Sequence, residues 1–103
     1  MALGRFDSSS AHDFNLKPES MKMDRKLFAK CLGECIANER RNKGWQKAYL
    51  FAEVAQISPR TLYSIEEGYR VPSTYTLMRV CDALETTVQK VLDRVTRMAA
   101  RVD

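Results

Sequence analysis

The residues best suited to chemistry form one short row: Ser58-Pro59-Arg60-Thr61, then Tyr63, Ser64 and Glu67. Hydroxyls, a phenol and a guanidinium at these spacings can donate hydrogen bonds, and with Glu67 as the row's one carboxylate they do not make a catalytic set. Catalysis has little else to work with. His12 is the only histidine, a loop residue read as solvated, and there is no Ser/His/Asp set, no carboxylate pair and no phosphate-binding glycine loop among the four glycines. Neither enzymatic activity nor a cofactor is expected. Cys31, Cys35 and Cys81 show no metal-ligand spacing and no neighbouring histidine, and they fall at apolar positions of helical segments, so they read as core filler. A redox or metal sensor would need them clustered in space. Trp45, Tyr49, Tyr69 and Tyr75 are too scattered for a base-stacking platform.

The elements that must position this row are helical. Leu27, Cys31, Cys35 and Phe28, Leu32, Ile36 recur at spacings of three and four, which predicts a first helix from about 24 to 43. Asp24 or Ser20 would cap its start, and Lys43-Gly44 closes it with a basic last turn and a glycine. A shorter helix covers 47–54. Ser58-Pro59 is a strong start signal, because Ser caps and Pro loses no needed N–H at the first helical position; that third helix stops at Gly68. After a loop at 69–72, Ser73 caps a fourth helix over 74–84, and a fifth starts near Thr87. No strand pattern of any length occurs, so the fold class is all-α with about five helices and no internal repeat.

Only Ala55-Gln56-Ile57 separates the second and third helices, too few residues for antiparallel packing. A short helix, a tight turn and a capped second helix make a helix-turn-helix unit. Ala52 is small where the two helices touch, and Ile57, Leu62 and Ile65 fill the core beneath the turn. The polar row then faces outward, as a reader of the DNA major groove requires.

Composition agrees without proving the point. The 103 residues suit one domain and can bury a core without metal or disulfides. The net charge is +4, from 17 basic and 13 acidic residues, and residues 1–23 contribute none of it. This modest basic bias is compatible with nucleic acid. An odd cysteine count and the absence of an apolar leader or a membrane-length run favour a reducing cytoplasm. Residues 1–23 read as a flexible polar arm; the alternative is a docked segment using Leu3, Phe6, Phe14 and Leu16, and Met21 and Met23 are alternative starts.

Three segments in order, LGECIANERRNKG, FAEVAQISPRTLYSIEEG and VPSTYTLMRVCDALETTVQKVL, resemble the phage repressor and Cro-like helix-turn-helix regulators (XRE type) from about residue 32 to 92. The resemblance implies a five-helix, lambda-repressor-like DNA-binding domain over 24–92. It also implies a bacterial or phage-encoded cytoplasmic protein, nucleoid-associated on DNA, that acts as a homodimeric transcriptional repressor on double-stranded operator DNA. Carried over by position, Ser58, Pro59, Arg60, Thr61 and Ser64 are the base-reading candidates. Arg60 leads them, because a guanidinium bonds a guanine's O6 and N7 together. Lys43, Lys47 and Arg70 flank the reader as phosphate contacts, Tyr63 meets phosphate or a thymine methyl, and Arg40 and Glu66 form a buried structural pair. Two positions depart from the family pattern. Ala48 stands where a phosphate-holding glutamine is usual, with Gln46 or Lys47 as substitutes, and Gln56 stands where the turn commonly has glycine.

The apolar stripe of the last helix, Val88, Val91, Leu92, Val95, Met98, Ala99 and Val102, outruns the family's usual end, so residues 93–103 read as a dimerisation extension. The alternative folds this tail back over the first helix, covering Leu27 and Phe28. Two other functions remain open. One is a protein-interaction module that sequesters a partner regulator. The other is the antitoxin of a toxin–antitoxin pair, which would bind its protein partner through the N-terminal arm.

Overall fold

Four oxygen-bearing side chains decide where helices start. A computed structural model describes residues 23–101. Its helices are α1 (Arg25–Asn42), α2 (Ala48–Ala55), α3 (Pro59–Glu66), α4 (Thr74–Ala83) and α5 (Val88–Ala100). Asp24 accepts from the Leu27 N–H at 2.8 Å and caps α1. Ser58, Ser73 and Thr87 cap α3, α4 and α5 in the same way, at 3.0–3.1 Å. Lys47 stands at the cap position of α2 without a side-chain bond. No strand occurs among the described residues, and no helix there is long and apolar enough to cross a membrane. Most of the expected arm, residues 1–22, lies outside the described residues, as do Ser20 and Val102.

The first four helices end alike. A left-handed residue follows each end, directly after α2 and one residue later after α1, α3 and α4, and the N–H just beyond it turns back onto a carbonyl of the last turn, as in Trp45 to Arg40, Ile57 to Ala52, Tyr69 to Ser64 and Thr86 to Cys81, all at 2.9–3.0 Å. The left-handed residues are Gly44, Gln56, Gly68 and Glu85. The departure at position 56 is therefore real: Gln56 adopts φ 61°, where a side chain costs about 1 kcal/mol relative to glycine.

The core forms around α1. Leu32, Cys35 and Ile36 meet Phe51 and Ala52 of α2, Leu62 and Ile65 of α3, and Val80, Cys81 and Leu84 of the α4 region. Burial pushes the thiols of Cys31, Cys35 and Cys81 up, and the nearby Cys35 adds to the rise at Cys81, to about 11. Protonated, buried thiols are poor nucleophiles, so their role as filler fits what surrounds them.

Of the two expected placements of the tail, the structure shows the one folded back over the first helix. α5 packs chiefly on α1, with Val91 and Val95 fully inside the shared core. Val88, Leu92, Met98 and Ala99 are half-buried against the same core, and Met98 adjoins Leu27 and Cys31. Val91 and Val95 are thus covered within the chain, and residues 93–100 pack with the rest of α5 on α1, as in the alternative reading that folds the tail back over the first helix. The reason is physical: covering α1 within one chain meets the stripe's need for burial without the translational and rotational entropy cost of a second chain.

Gly33 marks the closest approach of α1 to α3. A β-carbon there would lie 2.3 Å from the Ile65 carbonyl oxygen and 2.6 Å from that of Glu66, both backbone atoms that cannot turn aside. Gly33→Ala should therefore push α3 off α1 and destabilise the fold by about 3 kcal/mol. Urea denaturation checks this; a midpoint within error of wild type would mean the helices separate without cost.

Candidate nucleic-acid interface

The site is built on the turn between α2 and α3 and on the capped start of α3. Pro59 occupies the first helical position, and the Ser58 hydroxyl both accepts from the Thr61 N–H and donates to the Thr61 hydroxyl, at 3.0 and 2.8 Å. Ser58 is thus occupied as a cap. Thr61 keeps its own hydroxyl proton available for an outside acceptor. Arg60 is exposed, and no described residue bonds its guanidinium. Ser64, one turn further on, is half-buried.

Arg40 fixes what lies behind this row. Its Nε donates to Glu66 Oε2 at 2.8 Å and one terminal nitrogen to Glu66 Oε1 at 3.2 Å. The other terminal nitrogen donates to the Trp45 carbonyl at 2.6 Å and the Gln46 carbonyl at 3.3 Å. Arg40 is 6% exposed, and no described buried side-chain polar atom is left without a partner. One guanidinium therefore ties the end of α1 to the end of α3 and to the loop that leads into α2. That loop carries Lys43, Gln46 and Lys47, all exposed. Its backbone is held from below by Arg40 and by Trp45, whose ring meets Phe51 edge-on at 5.9 Å.

Two tyrosines extend the surface. Tyr63 is exposed on α3, and its ring meets that of Tyr69 edge-on at 5.9 Å, just before exposed Arg70. The neighbouring Tyr69 hydroxyl, and then the charge of Glu67, push the Tyr63 phenol up, so it stays protonated and able to donate at neutral pH. The expected set is thus divided. Arg60, Thr61, Tyr63, Lys43, Gln46, Lys47 and Arg70 point to solvent or keep a free donor, whereas Ser58 and Pro59 shape the helix start.

Around this exposed, capped helix start, residues 36–91 match the model of the helix-turn-helix family (HTH_3). The chain belongs to the helix-turn-helix family. Among solved structures, this helix-turn-helix chain resembles two crystal structures of the clp gene regulator ClgR from Corynebacterium glutamicum, each at 30% sequence identity. One has a TM-score of 0.68 and covers 75% of this chain and 81% of that one. The other has a TM-score of 0.64 and covers 69% and 91%. No curated protein sequence matches the chain.

Sequence reasoning missed three residues of this helix-turn-helix domain. Gly33 offered a signal, a glycine within a helical pattern, which often marks close backbone approach. Tyr69 was set aside among scattered aromatics. Arg79 of α4 gave no local sign of its contacts with the turn.

Arg40→Ala should destabilise the domain by about 3–5 kcal/mol, since it strands the Glu66 carboxylate. Thermal unfolding of Arg40→Ala, Glu66→Ala and the double variant checks it, and strongly non-additive losses are expected. Additive losses would show two independent roles.

Proposed function

We propose that this chain is a sequence-specific double-stranded DNA-binding regulator of transcription, a homodimeric repressor that lays α3 in the major groove. The helix-turn-helix family and the likeness to a gene regulator support DNA binding. The observation that carries the finer reading is the start of α3, where an unpaired guanidinium at Arg60 and a free hydroxyl proton at Thr61 stand on a rigid, capped turn. Arg60 is the base reader, bidentate to guanine, with Thr61 and Ser64 beside it. Lys43, Lys47, Gln46, Tyr63 and Arg70 hold phosphates and set register. Nothing caps α2 by side chain, which leaves its first N–H groups for a phosphate despite Ala48.

The test is titration against a duplex selected by the wild-type protein from a random-sequence pool. Arg60→Ala should cost about 1–3 kcal/mol on that duplex and relax sequence preference. Lys47→Ala or Arg70→Ala should weaken selected and random DNA alike and flatten the salt dependence. An unchanged ratio of selected to random binding in Arg60→Ala would remove it as reader. Failure of the wild-type protein to bind any duplex would favour the protein-interaction module.

One reader helix buries little surface, so tight operator binding calls for two copies on adjacent half-sites. With Val91 and Val95 inside the domain, the support for a dimer surface moves to α4. Tyr75 is 66% exposed, Met78 56% and neighbouring Val54 52%. Met78 also borders a groove with Val88, the one member of the expected interface set that adjoins this ridge. A contiguous apolar ridge of this kind favours a partner over water. Wild-type protein should sediment as a dimer, and Met78→Glu should give a folded monomer with weakened operator binding. A monomeric wild type that still binds its selected duplex tightly would refute the dimer.

A further inference from the structure

We infer that Arg79, on α4, is a positioning residue for DNA reading: its guanidinium latches the turn between α2 and α3 and thereby sets the pose of the reader helix. The inference rests on the DNA-binding reading above and extends it to a residue away from the reader helix. Arg79 Nε donates to the Ala55 carbonyl at 3.0 Å, one terminal nitrogen donates to the Gln56 side-chain oxygen, and the other donates to the Tyr75 hydroxyl at 2.6 Å. The guanidinium also lies over the Tyr75 ring, 5.4 Å from its centre. Three of its faces are thus fixed, and two of its partners are the last residue of α2 and the left-handed residue of the turn.

Gln56 is where the turn is conformationally costly, with φ 61° on a residue that bears a side chain. A left-handed glutamine needs something to hold it, and the Arg79 bond to its side chain supplies that hold. The free Ala55 carbonyl at the end of α2 is satisfied by the same group. The hinge on which α3 pivots is therefore clamped from α4, an element whose packing contacts are chiefly with α2 and α5. Tyr75 in turn keeps the guanidinium flat and aimed. Lysine cannot replace this arrangement, because a single ammonium lacks the planar fork that reaches three acceptors in different directions.

Two measurements test the latch, and the first needs no DNA. Hydrogen exchange of the free protein reads the amides of Gln56 and Ile57, which bond the Glu53 and Ala52 carbonyls. In Arg79→Met, and more weakly in Gln56→Ala, these two amides should exchange about tenfold faster while those of Leu32 and Ile36 in α1 are unchanged. An equal rise in α1 and the turn, or no change in either, would overturn the inference. The second measurement is binding to the selected duplex and to random DNA. Arg79→Met should lose about tenfold on the selected duplex, with random DNA within about twofold and the same salt slope, and Arg79→Lys should not restore it. Restoration by lysine with equal losses on both DNAs would make Arg79 a phosphate contact and overturn the latch. Should the wild-type protein select no duplex, the proposed function fails, and the exchange result still decides the latch.

Discussion

The contact between the end of α1 and the end of α3 is the constraint on which the rest depends. Two helix C-termini and a loop meet there, and each brings carbonyl oxygens or a carboxylate into a space nearly closed to water. Glu66 lies in the last turn of α3, where the helix dipole disfavours an anion. Arg40 resolves this. Its planar fork faces Glu66 on one edge and the Trp45 and Gln46 carbonyls on the other, so one positive charge offsets a carboxylate and the negative ends of two helices. Such a pair adds little net stability over an apolar substitute, yet it is intolerant of losing one member. Gly33 makes the arrangement possible by letting the backbone of α3 approach α1 closely enough for the bond to form.

That contact also explains why a short α3 can be rigid. Eight residues make a poor helix alone, because nucleation is costly and few bonds repay it. Here the start is fixed by the Ser58 cap and Pro59, the end by Arg40 and the left-handed Gly68, and the buried face by Leu62 and Ile65. The helix that carries Arg60 is thus held at its start, at its end and along its buried face, a stiff platform under an exposed, adaptable side chain.

Most of the helix boundaries were legible in the sequence because they are local events. Ser58, Ser73 and Thr87 cap the neighbours that their positions imply, and Gly44 and Gly68 stop helices where a β-carbon would be strained. Helix periodicity placed Leu32, Ile36, Leu62 and Ile65 inside for the same reason. The Arg40–Glu66 pair was reachable only through family resemblance, since no local rule connects residues 26 positions apart. The tail was open for a different reason. An amphipathic stripe states that a face must be covered, but it does not say by what. Val91 and Val95 found α1 of their own chain, whose Leu27, Cys31 and Cys35 side needed covering too. Arg79 was illegible for a related reason: a long flexible side chain reveals neither which distant carbonyl it meets nor that it meets one.

The modest net charge looks weak for a nucleic-acid partner until it is divided by location. Arg40 is spent on Glu66 and two carbonyls, Arg94 pairs with Glu39, and Arg79 is turned inward onto Ala55, Gln56 and Tyr75. These arginines build the domain; Arg40 and Arg94 are each offset by a carboxylate, whereas the partners of Arg79 are neutral and leave its charge in place. Lys43, Lys47, Arg60 and Arg70 form no ion pair among the described residues, and all lie on the segments that frame α2 and α3. Glu66, the last residue of α3, is neutralised from within, so it does not oppose an incoming phosphate as exposed Glu67 beside it does. What governs attraction to a polyanion is the charge that remains uncompensated on that face, where Lys43, Lys47, Arg60 and Arg70 stand against the exposed acids Glu53 and Glu67. The same division separates two kinds of arginine in this chain: Arg40, Arg79 and Arg94, whose bonds hold the domain together, and Arg60, which is exposed and bonded to no described residue.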